Sequence, residues 1–348
     1  MGTDPMNIPQ DIQKAISKES LSLEVTTRCT NACSHCFARA GLEEFPELDH
    51  ETALSILGEG QSIGYRHLHI TGGEPLFWLP LFEVLKEART MGYESIFMNT
   101  NGTLIDRQSA QRLAAIGNVT VSISLQGPPS INDAFRGSEA YQHSSVGIKT
   151  AIDAGIPVHI FCVTGKSLLP VLPHFIGQTF SIYPQLIDIT LIQLIRVQND
   201  AYDISQELLK PDDFLSLIKM AALLNLFGFP VTFLENPLAT VVAHISGMSW
   251  LPPTPSLIRP GKLFIMADLR ITPAHSIRKS MGLYSPGALS HILSSNEYRH
   301  VIDENTQICS ACSHVDACRK AGMLRPSEPF RDMMEDIPFC KRVLDLCV

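Results

Sequence analysis

Cys29, Cys33 and Cys36 form a C-x3-C-x2-C run within Thr26-Thr27-Arg28-Cys29-Thr30-Asn31-Ala32-Cys33-Ser34-His35-Cys36-Phe37. Three thiolates on one short loop can hold three irons of a cubane 4Fe–4S cluster and leave the fourth iron open to a small molecule. A cluster that only relays electrons has all four irons capped by protein. A tetrahedral zinc site also wants a fourth ligand nearby, and His35 could supply one. The loop alone leaves both readings open.

Downstream, Ile70-Thr71-Gly72-Gly73-Glu74-Pro75 follows an apolar, strand-like run. Glycines let a backbone approach a ligand closely, and a carboxylate can accept hydrogen bonds from an ammonium group. Alone, the segment is a turn signal. Placed after a three-cysteine loop, it gains meaning.

Composition narrows the class. A chain of 348 residues can bury one large core and a smaller appendage. Hydrophobic content of 45% and charged content of 18% describe a globular, soluble protein. There is no apolar run long enough to span a bilayer and no cationic leader before an apolar stretch, so no membrane role is expected. A formal net charge of −8 argues against a general nucleic-acid binder. Nine cysteines without a secretion signal point to metal ligation in a reducing, cytoplasmic setting. Cys162, in the apolar run 157–163, reads as a small buried hydrophobe.

Short apolar runs alternate with amphipathic stretches. The strands expected are 21–27, 67–71, 95–100, 119–124, 157–163 and 187–194. The helices expected between them are 51–60, 79–91, 106–116, 139–154 and 171–179, with Asp49 and Asp106 as caps. Runs apolar on both faces imply a parallel sheet covered by helices. The expected fold class is α/β, a partial (β/α)6 TIM-like barrel with chemistry at the carboxyl ends of its strands. The cysteine loop, Gly72-Gly73-Glu74, Asn99-Thr100-Asn101 and Ser124 all fall at that rim. Residues 1–20 read as an N-terminal extension, 21–195 as the core and 196–260 as a bridge. Residues 261–348 read as a small cysteine-rich domain. In the bridge, Glu235, Asn236 and His244 read as surface or turn residues.

Cys309, Cys312 and Cys318 form a C-x2-C-x5-C run, and Cys340 follows. Four thiolates can fully cap an auxiliary 4Fe–4S cluster. They can equally hold structural zinc.

Taken together, these segments resemble the radical S-adenosylmethionine (SAM) superfamily. The carriers are the cysteine loop with Phe37 after it, Gly-Gly-Glu-Pro at 72–75, Val119-Thr120-Val121-Ser122-Ile123-Ser124-Leu125-Gln126-Gly127-Pro128, and Asp133-Ala134-Phe135-Arg136-Gly137. The last two are similar to the S-L-D-G and F-R-G segments of the SPASM/twitch subgroup, with Gln126 where an aspartate is usual. The resemblance implies that Cys29, Cys33 and Cys36 bind a 4Fe–4S cluster whose open iron takes SAM. Gly72, Gly73 and Glu74 would then meet the SAM ammonium, Ser124 and Arg136 its carboxylate, and Asn99 and Asn101 the ribose. Backbone near Phe37, Cys162 and Gln193 would flank the adenine.

The C-terminal part resembles a SPASM extension with losses. Residues 261–271 are similar to its opening hairpin, but Arg259 or Pro260, His275 and Gly322 stand where cysteines belong. One auxiliary 4Fe–4S cluster, on Cys309, Cys312, Cys318 and Cys340, is therefore expected. Cys347 is an alternative to Cys340.

The implied activity is reductive cleavage of SAM to a 5′-deoxyadenosyl radical, which abstracts hydrogen from a substrate C–H bond. An electron donor such as flavodoxin or ferredoxin is implied as partner. The substrate class expected first is a ribosomally made peptide. The alternatives are a tetrapyrrole, or a sugar or nucleoside, in cofactor synthesis. A non-catalytic zinc-binding scaffold is the reading of another class.

Overall fold

The computed structural model describes residues 8–38, 40–41, 45–195, 203–234, 236–254, 259–275, 280–303, 312–314, 318 and 336–347. Nine strands form one sheet: β1 (Ser20–Glu24), β2 (His67–Thr71), β3 (Ser95–Thr100), β4 (Val119–Ser124), β5 (Val158–Thr164), β6 (Ile189–Gln193), β7 (Val231–Phe233), β8 (Leu263–Ile265) and β9 (Ile271–Thr272). Their order is β7-β6-β5-β4-β3-β2-β1-β8-β9. Every neighbouring pair from β7 to β8 is parallel, and only β8 and β9 run antiparallel. The six core strands expected from the sequence are present, as is the hairpin expected at 261–271. The sheet goes further than the six units, because β7 extends one side and β8 pairs with β1 on the other.

Helices α1 (Gln10–Ile16), α2 (His50–Ile63), α3 (Leu81–Met91), α4 (Arg107–Ile116), α5 (Pro129–Arg136), α6 (Ala140–Asp153) and α7 (Leu172–Ile182) precede or connect the strands. Asp49 caps α2 by accepting from Thr52 N, and Asp106 caps α4 by accepting from Ser109 N with a reciprocal Ser109 bond. The expected first strand, 21–27, stops at Glu24. Beyond it Thr26 bridges to Glu47, which turns the chain into the cysteine loop.

The strands are not apolar on both faces, and this corrects the sequence reading. Along β5, Val158, Ile160 and Cys162 are buried, while the alternating His159, Phe161 and Val163 are only partly covered. The same alternation places Leu68, Ile70, Ile96 and Met98 in the core. Their neighbours His69, Phe97 and Asn99 face a cavity. Period-two alternation gives each strand two environments. Here one of them is a hollow lumen and not a packed barrel interior.

Candidate active site

One cavity of about 460 Å³ occupies the lumen. Its wall includes Cys29, Cys33, Cys36, Phe37, Gly72, Gly73, Asn99, Asn101, Ser124, Arg136 and Gln193, which are most of the residues singled out from the sequence. They come from the loops and ends that follow β1, β2, β3, β4 and β6, with Arg136 at the end of α5, so the alternation of strand and helix is what gathers them. Two expected residues are placed differently. Cys162 is fully buried in the core, and only its neighbours Phe161 and Val163 reach the cavity. Glu74 is fully buried behind the wall, accepting hydrogen bonds from Thr100 Oγ1 at 2.8 and 2.9 Å, Asn101 N at 2.7 Å and Leu76 N at 3.2 Å. Burial is the main force raising the Glu74 carboxyl above its ordinary range, and those donors oppose it.

The cysteine loop is tied down from three sides. Gly73 N donates to Thr26 O at 2.7 Å and Glu74 N to Arg28 O at 2.7 Å, which lays the glycine turn along the loop. A Cβ at Gly73 would lie 2.2 Å from Arg28 O, and one at Gly72 would lie 2.5 Å from Thr26 O. No side chain fits there. Ser34 N donates to Phe135 O at 2.9 Å, joining the loop to α5. Asn101 Nδ2 donates to Thr30 Oγ1 at 2.7 Å and to Cys29 Sγ at 3.6 Å, while its Oδ1 accepts from Thr103. The amide of Asn101 thus holds the loop.

Burial pushes the Cys29 thiol up to about 11, with added repulsion from Glu74, Cys33 and Cys36. Cys33 is also raised by burial, and Arg136 opposes the shift. His35 is held down at about 3 by burial and by Arg136, so it is neutral, and its Nδ1 has no partner. Arg136 is 6% exposed, and its Nη1 donates to Gln126 Oε1 at 3.2 Å while its buried Nε has no partner. Among the described residues, no three His, Cys, Asp or Glu side chains stand at metal-ligating separation, so the three thiols share a wall without meeting at a common centre. The donor set nevertheless fits a three-thiolate cluster beside a carboxylate-bearing ligand. Three thiols face one cavity next to an arginine with an unsatisfied, buried N–H.

Asn236 was read from the sequence as a surface or turn residue, and the structure overturns this. It is buried, lines the cavity, and donates through Nδ2 to Gln193 Oε1. His244 is exposed, and Glu235 lies outside the described residues. Of the second cysteine group, Cys309 lies outside the described residues, whereas Cys312, Cys318 and Cys340 are partly exposed. Cys340 sits on the helix Asp336–Asp345, which packs against helix Pro211–Leu226 through Phe339 and Phe214. Cys347 Sγ donates to Val343 O at 3.3 Å. Gly322 also lies outside the described residues.

Ser22, His69, Lys262, Phe264 and His275 also line the cavity, and no local pattern in the sequence signals it. Sheet register brings three of them together, since Ser22 stands opposite both His69 and Phe264.

An α/β partial barrel whose strand tips gather a thiol loop, a glycine turn and a buried arginine around one cavity defines the class. Residues 23–174 match the radical SAM superfamily model. It is 31% identical over 169 residues to the AdoMet-dependent heme synthase of Oleidesulfovibrio alaskensis, covering 47% of this chain and 43% of that relative. It is 31% identical over 159 residues to the mycofactocin maturase MftC of Mycobacterium ulcerans, covering 45% and 41%. The chain thus spans less than half the length of these curated relatives. The fold is that of native anSMEcpe, solved with bound AdoMet and the Cp18Cys peptide, at a TM-score of 0.68 and 16% identity over 94% of this chain and 98% of that one. Among the described residues no helix is long and apolar enough to cross a membrane.

Proposed function

We propose that this chain is a SAM-cleaving radical enzyme acting on a C–H bond of a ribosomally made peptide. The observation that carries the reading is the single cavity shared by Cys29, Cys33, Cys36, Gly72, Gly73, Ser124 and Arg136. The three thiols would hold the cluster. Gly72 and Gly73 let the turn lie close to the loop, and Glu74 fixes the tip of β3 from behind. Ser124 and Arg136 would take the SAM carboxylate, with the Arg136 Nε as the available donor. Bound cluster and SAM supply one electron and a hydrogen-abstracting radical, while the protein positions them and excludes water. Cys309, Cys312, Cys318 and Cys340 would cap an auxiliary cluster, with electrons delivered by a flavodoxin or ferredoxin.

Likeness to a mycofactocin maturase and to a fold solved with a bound peptide supports the peptide class. Likeness to a heme synthase supports a tetrapyrrole as the second reading. Anaerobic reconstitution tests the enzyme itself. About eight irons and eight sulfides per chain, with 5′-deoxyadenosine formed on adding SAM and dithionite, are expected. Bound zinc without sulfide would establish the scaffold instead.

A further inference from the structure

Beside the cysteine loop, the cavity wall holds His275 with a buried carboxylate behind it, a pair that the proposed SAM site does not use. Glu24, at the carboxyl end of β1, is 1% exposed. Its Oε2 lies 2.7 Å from His275 Nε2, across 251 positions of sequence. A carboxylate taken this far from water requires a strong partner, and an imidazole Nε2–H supplies one. The ring of His275 is placed from two further directions. It stacks on Phe264 with an interplanar angle of 1° and meets Phe37 edge-on at 4.9 Å between centroids. A carboxylate on one ring nitrogen fixes the tautomer and leaves the other nitrogen as the acceptor.

That other nitrogen, Nδ1, meets the cavity. His275 is part of the wall, and among the described residues Nδ1 neither makes a hydrogen bond nor counts among the sealed, unpartnered polar atoms. The groups around the ring are Glu24 from β1, His69 from β2, Phe264 from β8 with Lys262, just before that strand, over its ring, and Phe37 from the cysteine loop. His69 is held neutral by burial and by the nearby His275 and Lys262. The imidazole of His275 is therefore a ring oriented by a buried carboxylate on this wall, and Phe37 sets it beside the cysteine loop.

We propose that Glu24 and His275 are a proton-accepting pair for the substrate, resting on the reading of this cavity as a radical site. The substrate group it meets is an O–H or N–H next to the carbon that loses hydrogen. The X–H bond breaks, its electron pair stays on X, and the proton moves to His275 Nδ1. The resulting imidazolium is balanced by the Glu24 carboxylate, and the proton later returns to water. His275 touches substrate in this role, whereas Glu24 is a positioning residue.

The experiment is carbethoxylation of the full chain by diethyl pyrocarbonate, with rates read site by site by mass spectrometry. It needs neither cluster nor SAM, so it stands apart from the radical reading, which SAM cleavage by the wild type tests. His275 should react at least as fast as the exposed His143 and His174. In Glu24→Gln, which keeps shape and a hydrogen-bond acceptor, the His275 rate alone should fall roughly tenfold. Long-range nitrogen–proton NMR of histidine-labelled protein provides a second readout, and His275 should carry its proton on Nε2. An unreactive His275, an unchanged rate in Glu24→Gln, or a proton on Nδ1 would reduce the pair to a tie between β1 and the hairpin and overturn the proposal.

Discussion

Arg136 donates through Nη1 to the side-chain oxygen of Gln126 at 3.2 Å, and its buried Nε stays unpartnered. A neutral amide here steers the guanidinium without cancelling its charge. Gln126→Glu would place a carboxylate on the same spot and compete for that charge. The dissociation constant for SAM, measured by calorimetry on reconstituted protein, should rise roughly tenfold, or about 1.4 kcal/mol. Gln126→Ala should weaken binding less, because it removes the steering but not the charge.

Gly73 admits no Cβ, since Arg28 O would lie 2.2 Å away. Gly73→Ala must therefore push the cysteine loop off the β2 turn, breaking the bonds from Gly73 N and Glu74 N. Overpacking of this kind costs about 1–3 kcal/mol. Urea unfolding of the metal-free protein should register that loss, and iron retained after reconstitution should fall with it.

Asn101 binds Thr30, Thr103 and the Cys29 sulfur at once. Asn101→Ala should destabilise the fold by about 1–3 kcal/mol through the donors and acceptors it strands. Faster loss of iron to a chelator than in the wild type would confirm that it clamps the loop. Wild-type retention would leave it only a stabilising role.

His69 makes stability depend on pH. Burial first, then the nearby His275 and Lys262, lower it from 6.5 to about 3. Between those values the unfolded chain binds a proton that the native chain refuses. The contribution is thus complete above pH 6.5 and is lost as pH falls towards 3. His69→Asn should flatten the stability-against-pH curve in that window by up to about 1.4 kcal/mol per pH unit. Denaturant titrations at pH 7, 6 and 5 measure it.

Much of the frame was legible in the sequence, because apolar periodicity and turn residues are local signals. Strands 67–71, 95–100 and 119–124 are observed with the expected bounds, and Asp49 and Asp106 cap their helices. Helix α5 is not among the helices expected from the sequence, although Pro129 opens a helix that ends on Arg136. The hollow lumen escaped because His69 and Phe97 fit a strand pattern whatever their alternating face meets. Glu24 and His275 escaped for a different reason: pairing across 251 residues depends on β8 docking beside β1. No local pattern encodes that.

A cluster held by Cys29, Cys33 and Cys36 would leave one iron for SAM. Electron–nuclear double resonance of the reduced, anaerobically reconstituted protein with SAM labelled at its methionyl nitrogen and carboxylate oxygens tests it most directly. Hyperfine coupling from both labels to the front cluster is the predicted result. A front metal centre without either coupling, already closed by protein side chains, would contradict the account.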